Sequence, residues 1–302
     1  MRSLLRALIV VIAVTVAGTA LPGVADRSGS STSAPNAVTS PTTTPSPFRA
    51  PATTRSTPKA TKTATPTPTA RPTKPARAPA LPLRSVTIAL DPGHQLGNHN
   101  HPSETNRLVE AGGSQKACNT TGTATDSGVA EATANFLLAE AIRSRLEALG
   151  ADVKMTRSTN SEGTWGPCID ARGRFGSRVG ANFMVSLHAD GAGSSDRGFH
   201  VIAPTKREPW TTDIAGRSLR LAESLRDGLT NVGVPRSNYT GEGTGLNVRS
   251  DLGTLNMSDV PVAMIEIGNM RNSGDAHRMT TTSGRALYVN GVVRGIRTFL
   301  GR

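Results

Sequence analysis

Two histidines and two glutamates stand where a folded chain can gather them. His94, His188 and Glu266 each follow a short apolar run, at Val86–Leu90, Phe183–Leu187 and Val262–Ile265, and Glu131 lies at the start of a long amphipathic stretch. Two imidazoles and one carboxylate make the ligand set of a catalytic zinc, with the fourth position left to water. Such an ion polarises a carbonyl and lowers the pKa of bound water from about 15.7 to about 7, and a further carboxylate within hydrogen-bond reach can carry the proton. The spacings of 37, 57 and 78 residues between successive members have no local geometric meaning. A lone strand-end histidine is more often a hydrogen-bonded surface residue, and Glu266 by itself could pair with Arg271. The four therefore need a scaffold that brings them together.

That scaffold can be read from the pattern. Val86-Thr87-Ile88-Ala89-Leu90 is rich in β-branched residues and stops at Asp91-Pro92-Gly93, a strand followed by a turn. Val129–Leu149 carries Phe136, Leu137, Ile142, Leu146 and Leu149 between charges and is closed by Gly150, which predicts an amphipathic helix. Val153–Met155 gives a second strand, Ile169–Val179 a helix, and Phe183–Leu187 a buried strand ending at His188. Strands at Phe199–Ala203 and Val262–Ile265, the latter ending at Glu266, and helices at Ile214–Leu229 and Ala286–Leu300 complete the series. This alternation predicts an α/β fold with a single open, mostly parallel or mixed sheet and helices on both faces. Strand C-terminal ends line the ligand crevice of such a sheet, so distant residues can converge there.

The N-terminal third is different. Arg2 and Arg6 precede an apolar stretch from Ala7 to Ala20 and a small-residue run Gly23-Val24-Ala25, the pattern of a secretory signal over residues 1–25 or, if uncleaved, of a membrane anchor. Residues 26–84 are Ser, Thr, Pro and Ala with scattered Lys and Arg. They cannot bury enough apolar surface to order themselves and read as an extended basic tether. Residues 85–302 are then the one folded domain. Met1–Arg84 holds eleven Lys or Arg against one acid, whereas the remainder is nearly balanced at 23 against 21. Most of the net charge of +12 therefore sits in the tether. A nucleic-acid-binding face is not implied, because the folded part carries no base-reading motif. A tether near a polyanionic wall or membrane surface fits better. Export and an even cysteine count predict a disulfide between Cys118 and Cys168.

Five short words occur in one order: Asp91-Pro92-Gly93-His94 after a strand, Glu131 four residues before Asn135, Thr156-Arg157, Ser186-Leu187-His188-Ala189-Asp190, and Ile265-Glu266-Ile267-Gly268. Together they resemble the zinc-dependent N-acetylmuramoyl-L-alanine amidases of the autolysin type, over about Ser85–Arg302. The resemblance implies that His94, Glu131 and His188 bind zinc and that Glu266 is the catalytic acid/base. Arg172 matches the family's arginine upstream of the second histidine, and Asn272 the asparagine after the catalytic glutamate. The segment Gln95–Gly128 is longer than the Gly-rich continuation often found in the family and holds His99 and His101, which read as loop residues. It also offers Glu104, Glu110 and Asp126 as alternative carboxylates. Asn269 stands where many relatives carry an aromatic. His200 and His277 read as ordinary structural or surface histidines.

The resemblance implies a secreted or periplasmic, wall-associated hydrolase acting as a monomer on peptidoglycan or muropeptides, with any membrane contact made only by an uncleaved N-terminal segment. A zinc carboxypeptidase trimming stem peptides would use the same metal chemistry. A non-catalytic wall-binding protein is disfavoured by the presence of all three ligand residues together with Glu266. Aromatic residues make up only 3% of the chain, too few for carbohydrate-stacking surfaces.

Overall fold

The structure, a computed structural model, describes residues 81–302. The signal and nearly all of the tether lie outside the described residues. Leu83, which the sequence puts at the end of the tether, is fully buried in the core, and its N–H donates to the Leu149 carbonyl. Among the described residues no helix is long and apolar enough to cross a membrane.

Eight strands form. They are β1 (Thr87–Pro92), β2 (Leu108–Glu110), β3 (Gln115–Ala117), β4 (Asp152–Met155), β5 (Phe183–Asp190), β6 (His200–Pro204), β7 (Leu246–Arg249) and β8 (Val262–Asn269). Six make one sheet in the order β4-β1-β5-β8-β6-β7, and β2 pairs with β3 as a separate hairpin. Strands β4, β1, β5 and β8 run parallel, while β6 is antiparallel to β8 and parallel to β7. The sheet is thus open and mixed, as the pattern of alternating elements requires.

The helices are α1 (Pro102–Thr105), α2 (Glu131–Ala148), α3 (Ile169–Gly173), α4 (Phe175–Arg178), α5 (Ala215–Asn231), α6 (Gly253–Asn256), α7 (Ser273–Thr280) and α8 (Thr282–Leu300). Strand side chains alternate between faces. Ile88, Leu90, Val185, Leu187, Val201 and Ile265 enter a large core with Leu138 and Ile142 of α2, Leu221 and Leu225 of α5, and Val292 and Ile296 of α8. Ala89, Met184, Ile202 and Met264 point to the other face, into a smaller core with Ile214 and Leu255. Asp91, Ser186, His188 and Glu266 follow the same alternation onto that second face. There the long helices are absent and a crevice can open.

Three local expectations differ. The helix expected over Ile169–Val179 is two short helices, α3 and α4, which meet at Arg174. Strands β5 and β8 run on to Asp190 and Asn269 because their ladder continues beyond His188 and Glu266, which are register partners. His188 and Glu266 therefore sit inside their strands near the carboxyl ends. The terminal helix begins four residues early, at Thr282, with the Thr281 hydroxyl accepting the Gly284 N–H.

Candidate active site

His94 stands two residues beyond β1 with φ of 58°, a left-handed conformation uncommon for residues other than glycine. Its Nδ1 donates to the Thr120 carbonyl at 2.9 Å, which leaves Nε2 as the free lone pair, 3.2 Å from Glu131 Oε1. His188 Nδ1 lies 3.1 Å from the same oxygen. The donor atoms of His94, Glu131 and His188 all fall within 4.8 Å of one another. The Glu131 carboxylate is itself aimed. It accepts the backbone N–H groups of Thr123 and Ala189, each at 3.0 Å, and the Asn135 amide at 3.1 Å. Asn135 lies one helical turn beyond Glu131, so its pairing with that residue follows from α2 itself.

Electrostatics reinforce the cluster. Burial pushes the Glu131 carboxyl up, but the two imidazoles outweigh it and hold it well below the usual carboxylate range. Burial pushes His94 down, and the Glu131 carboxylate with the Thr120 carbonyl overcomes this and raises it. Three convergent donors of this type suit one divalent transition metal.

Glu266 behaves in the opposite way. Burial, then the Asp190 and Glu131 carboxylates, push it well above its ordinary value against the pull of Arg249. Among the described residues it makes no ion pair, and the Arg271 that might have claimed it faces Asp126 at 3.4 Å. A carboxyl poised to exchange a proton therefore stands directly across the ladder from His188.

Beneath the cluster lies a buried frame. Arg172 meets Asp91 at 2.5 Å and also donates to the carbonyls of Pro92, His94 and Pro167. Thr156 and Ser186 complete the Asp91 carboxylate at 2.7 Å each. Burial raises the Asp91 pKa, but Arg172 and these hydroxyls prevail and lower it. Arg157 holds the Pro92, Gly93 and Ala132 carbonyls and lies over the Phe136 ring, joining the turn before His94 to the start of α2. Both arginines thus hold backbone, and Arg172 also lines the crevice from beneath.

The crevice is a cleft of about 420 Å³ with His94, His188 and Glu266 at one end and Lys116 and Asp251 in its wall. Ile169, Leu252 and Met264 give it apolar surface. The competing carboxylates stay outside. Glu104 accepts from Ser103, Glu110 caps the β2–β3 turn, and Asp126 faces Arg271. His99 pairs with Glu162 and His101 lies near Glu104. His277 sits on α7. Asn272 caps α7, accepting the Gly274 and Asp275 N–H groups, and donates to the Ser194 carbonyl. The Cys118–Cys168 disulfide is formed beside the cleft, packed with Val109, Trp165 and Ile169.

Some of the site was not foreseen from sequence. Tyr239 donates to Asp190 at 2.6 Å, and His200, the cross-strand partner of Glu266, is buried with Nδ1 3.6 Å from the same carboxylate. The word Ser-Leu-His-Ala-Asp already contained Asp190. Tyr239 comes from a loop with no pattern of its own, and His200 from an expected strand whose antiparallel pairing with β8 the pattern does not reveal.

An open α/β sheet whose strand ends gather a metal-ligand set beside a half-buried carboxyl with no ion-pair partner among the described residues fits the class of metal-dependent amide hydrolases. The family described as N-acetylmuramoyl-L-alanine amidase matches residues 88–298, and the chain belongs to it. It is an enzyme, a peptidoglycan amidase. An N-acetylmuramoyl-L-alanine amidase of Mycobacterium tuberculosis is 38% identical over 221 residues, covering 72% of this chain and 88% of that protein. The crystal structure of the amidase Ami1 from Mycobacterium smegmatis superposes with a TM-score of 0.67 at 36% identity, covering 72% of this chain and 98% of that one. The apo form of Ami1 from Mycobacterium abscessus gives 0.67 at 37% identity, covering 72% and 100%.

Proposed function

We propose that this chain uses a zinc ion held by His94, Glu131 and His188 to hydrolyse the bond between the lactyl carbonyl of N-acetylmuramic acid and the first L-alanine of the peptide stem, with Glu266 as the acid/base. The observation that carries this reading is the pairing of a three-donor cluster with a separate carboxyl of raised pKa at neighbouring positions of β5 and β8. Two nitrogens and one carboxylate oxygen are a borderline donor set that suits zinc. When bound, zinc would polarise the scissile carbonyl and make water nucleophilic near neutral pH.

The chain's own groups do the rest. Thr120 fixes the His94 tautomer, and Asn135, Thr123 and Ala189 hold the Glu131 carboxylate at the angle that aims one oxygen between the imidazoles. Glu266 in its ionised form takes the proton of the attacking water, and once protonated it donates to the departing alanine nitrogen. Its raised pKa brings the two forms closer in free energy near neutral pH, as a group that must act both ways requires. The enzyme works outside the cytoplasm, where its polymer lies, exported by its N-terminal segment as a monomer.

Digestion of purified peptidoglycan by the full chain, read by mass spectrometry, tests the reading. Intact stems released with a free N-terminal alanine support it. Shortened stems still attached to sugar would replace it with a carboxypeptidase.

A further inference from the structure

In the wall of the cleft two cations share one carboxylate. Arg249 gives Nε and Nη2 to the two oxygens of Asp251 at 2.9 and 2.8 Å, a bidentate pair that satisfies that carboxylate. Lys116 approaches from the β2–β3 hairpin. Its ammonium donates to the Asp251 backbone carbonyl and stands 3.9 Å from the carboxylate already taken by Arg249. Within this trio one positive charge is left over, at Lys116, while Arg249 also feels the Glu266 and Asp190 carboxylates.

The fold holds that charge in place. Lys116 is the register partner of Val109, so both side chains leave the hairpin on one face, and Val109 packs against the Cys118–Cys168 disulfide and Ile169. The hairpin turn is tied down by Asn256, whose amide donates to the carbonyls of Ala111 and Ser250. An uncompensated ammonium fixed by a disulfide and a buried amide in the wall of an active-site cleft is built for an anion. Its surroundings narrow the kind. Ile169, Leu252 and Met264 lie in the cleft with it and suit the apolar parts of a peptide, whereas the surface beyond Thr120, at Asn98, Asn119 and Thr121, is neutral and polar and suits sugar hydroxyls and acetamides.

We infer that Lys116, braced by the Arg249–Asp251 pair, binds a free carboxylate of the peptide stem, so that the stem lies along the Lys116 side of the cleft and the enzyme prefers stems bearing a carboxylate to stems in which it is amidated. The inference rests on the amidase reading and assigns the orientation of that substrate.

Two muropeptides identical except that the second stem residue carries a carboxylate in one and a carboxamide in the other form the probe. The readout is the ratio of their kcat/KM values. The ratio should favour the carboxylate in the wild type and fall as salt is raised, since a half-exposed charge is screened. It should drop roughly fivefold in Lys116→Gln and recover in Lys116→Arg. A wild-type ratio of one at low salt, or a Lys116→Gln ratio equal to wild type, overturns the subsite. The salt series in the unmutated enzyme decides the matter if the variant does not fold. An enzyme that cuts neither muropeptide, nor polymer, overturns the amidase reading instead.

Discussion

Gly93 lies so close to His188 that a Cβ at its position would sit 2.3 Å from the imidazole Cε1 and 2.4 Å from Nε2. The glycine of the Asp-Pro-Gly-His word is therefore a contact surface for the ligand that arrives 95 positions later. A methyl group there would push the ring away from Glu131 while leaving His94 and Glu131 unchanged in type. We expect Gly93→Ala to bind zinc roughly 10- to 100-fold more weakly, as when a ligand's support is lost. Chelator competition measures it, and unaltered affinity would show that His188 is not a ligand.

The Asp91–Arg172 pair should behave as a structural keystone. Both side chains are at most 2% exposed, and removing one partner leaves a buried charge. Arg172→Met should cost roughly 3–5 kcal/mol in urea unfolding, and adding Asp91→Asn should recover part of it. Because the Asp91 pKa is lowered by folding, its stabilisation is complete above the unfolded value of about 3.9 and is lost as pH falls through the folded one. The gap between wild type and Arg172→Met should accordingly shrink in acid. A constant gap from neutral pH into acid would exclude the ion pair as its source.

Much of this frame could be read in advance, and the reason is physical. Strands β1, β5 and β8 are buried on both faces, so their apolar runs are continuous and easily seen, and the chemistry sits at their carboxyl ends. The β2–β3 hairpin left no such trace. Each strand has three residues, and what holds it is the disulfide from the adjacent Cys118 to Cys168 and the Asn256 amide, so the stabilising partners are distant in sequence. Strand β7 is an edge with partly exposed residues, and α7 is started by the Asn272 side chain rather than by an apolar stripe. Asn272 itself was placed in the functional set by resemblance, and its role here is that cap.

The disulfide bears on the metal site as well as on stability. Cys118 is followed within five residues by the Thr120 carbonyl that orients His94 and the Thr123 N–H that orients Glu131. Closing a span of 50 residues stabilises by about 4 kcal/mol in the chain-entropy account. The Cys118→Ala/Cys168→Ala enzyme should unfold at lower urea and also release zinc faster to a chelator under conditions where it is folded. Equal release rates would confine the bridge to a stabilising role.

Asp190 should set the acid limb of the pH–rate profile. Burial is the first cause of the raised Glu266 pKa and the Asp190 carboxylate the second, while the Glu131 contribution is offset once a dication is bound. Ionised Glu266 is needed to accept the proton, so kcat/KM should fall as pH drops through its raised pKa. Asp190→Asn keeps a polar partner for Tyr239 and removes the charge, and should move that limb to lower pH. An unmoved limb would mean that another group governs it.

The two glutamates can be told apart by separating metal binding from turnover. Glu131 touches both imidazoles, while Glu266 is the carboxyl of raised pKa and makes no hydrogen bond or ion pair to either imidazole. Glu266→Ala should keep its zinc and lose roughly two to four orders of magnitude in hydrolysis, the usual worth of general acid/base help. Glu131→Ala should lose zinc, since two imidazoles alone hold it poorly, and its activity should return in part when zinc is supplied in excess. Elemental analysis beside muropeptide hydrolysis reads both effects in the same samples. If Glu266→Ala loses the metal and Glu131→Ala retains it, the roles are exchanged. If Glu266→Ala keeps both metal and turnover, the proton must travel by another group, and Asp190, with its link to Tyr239, is the carboxylate nearest in the fold to take that part.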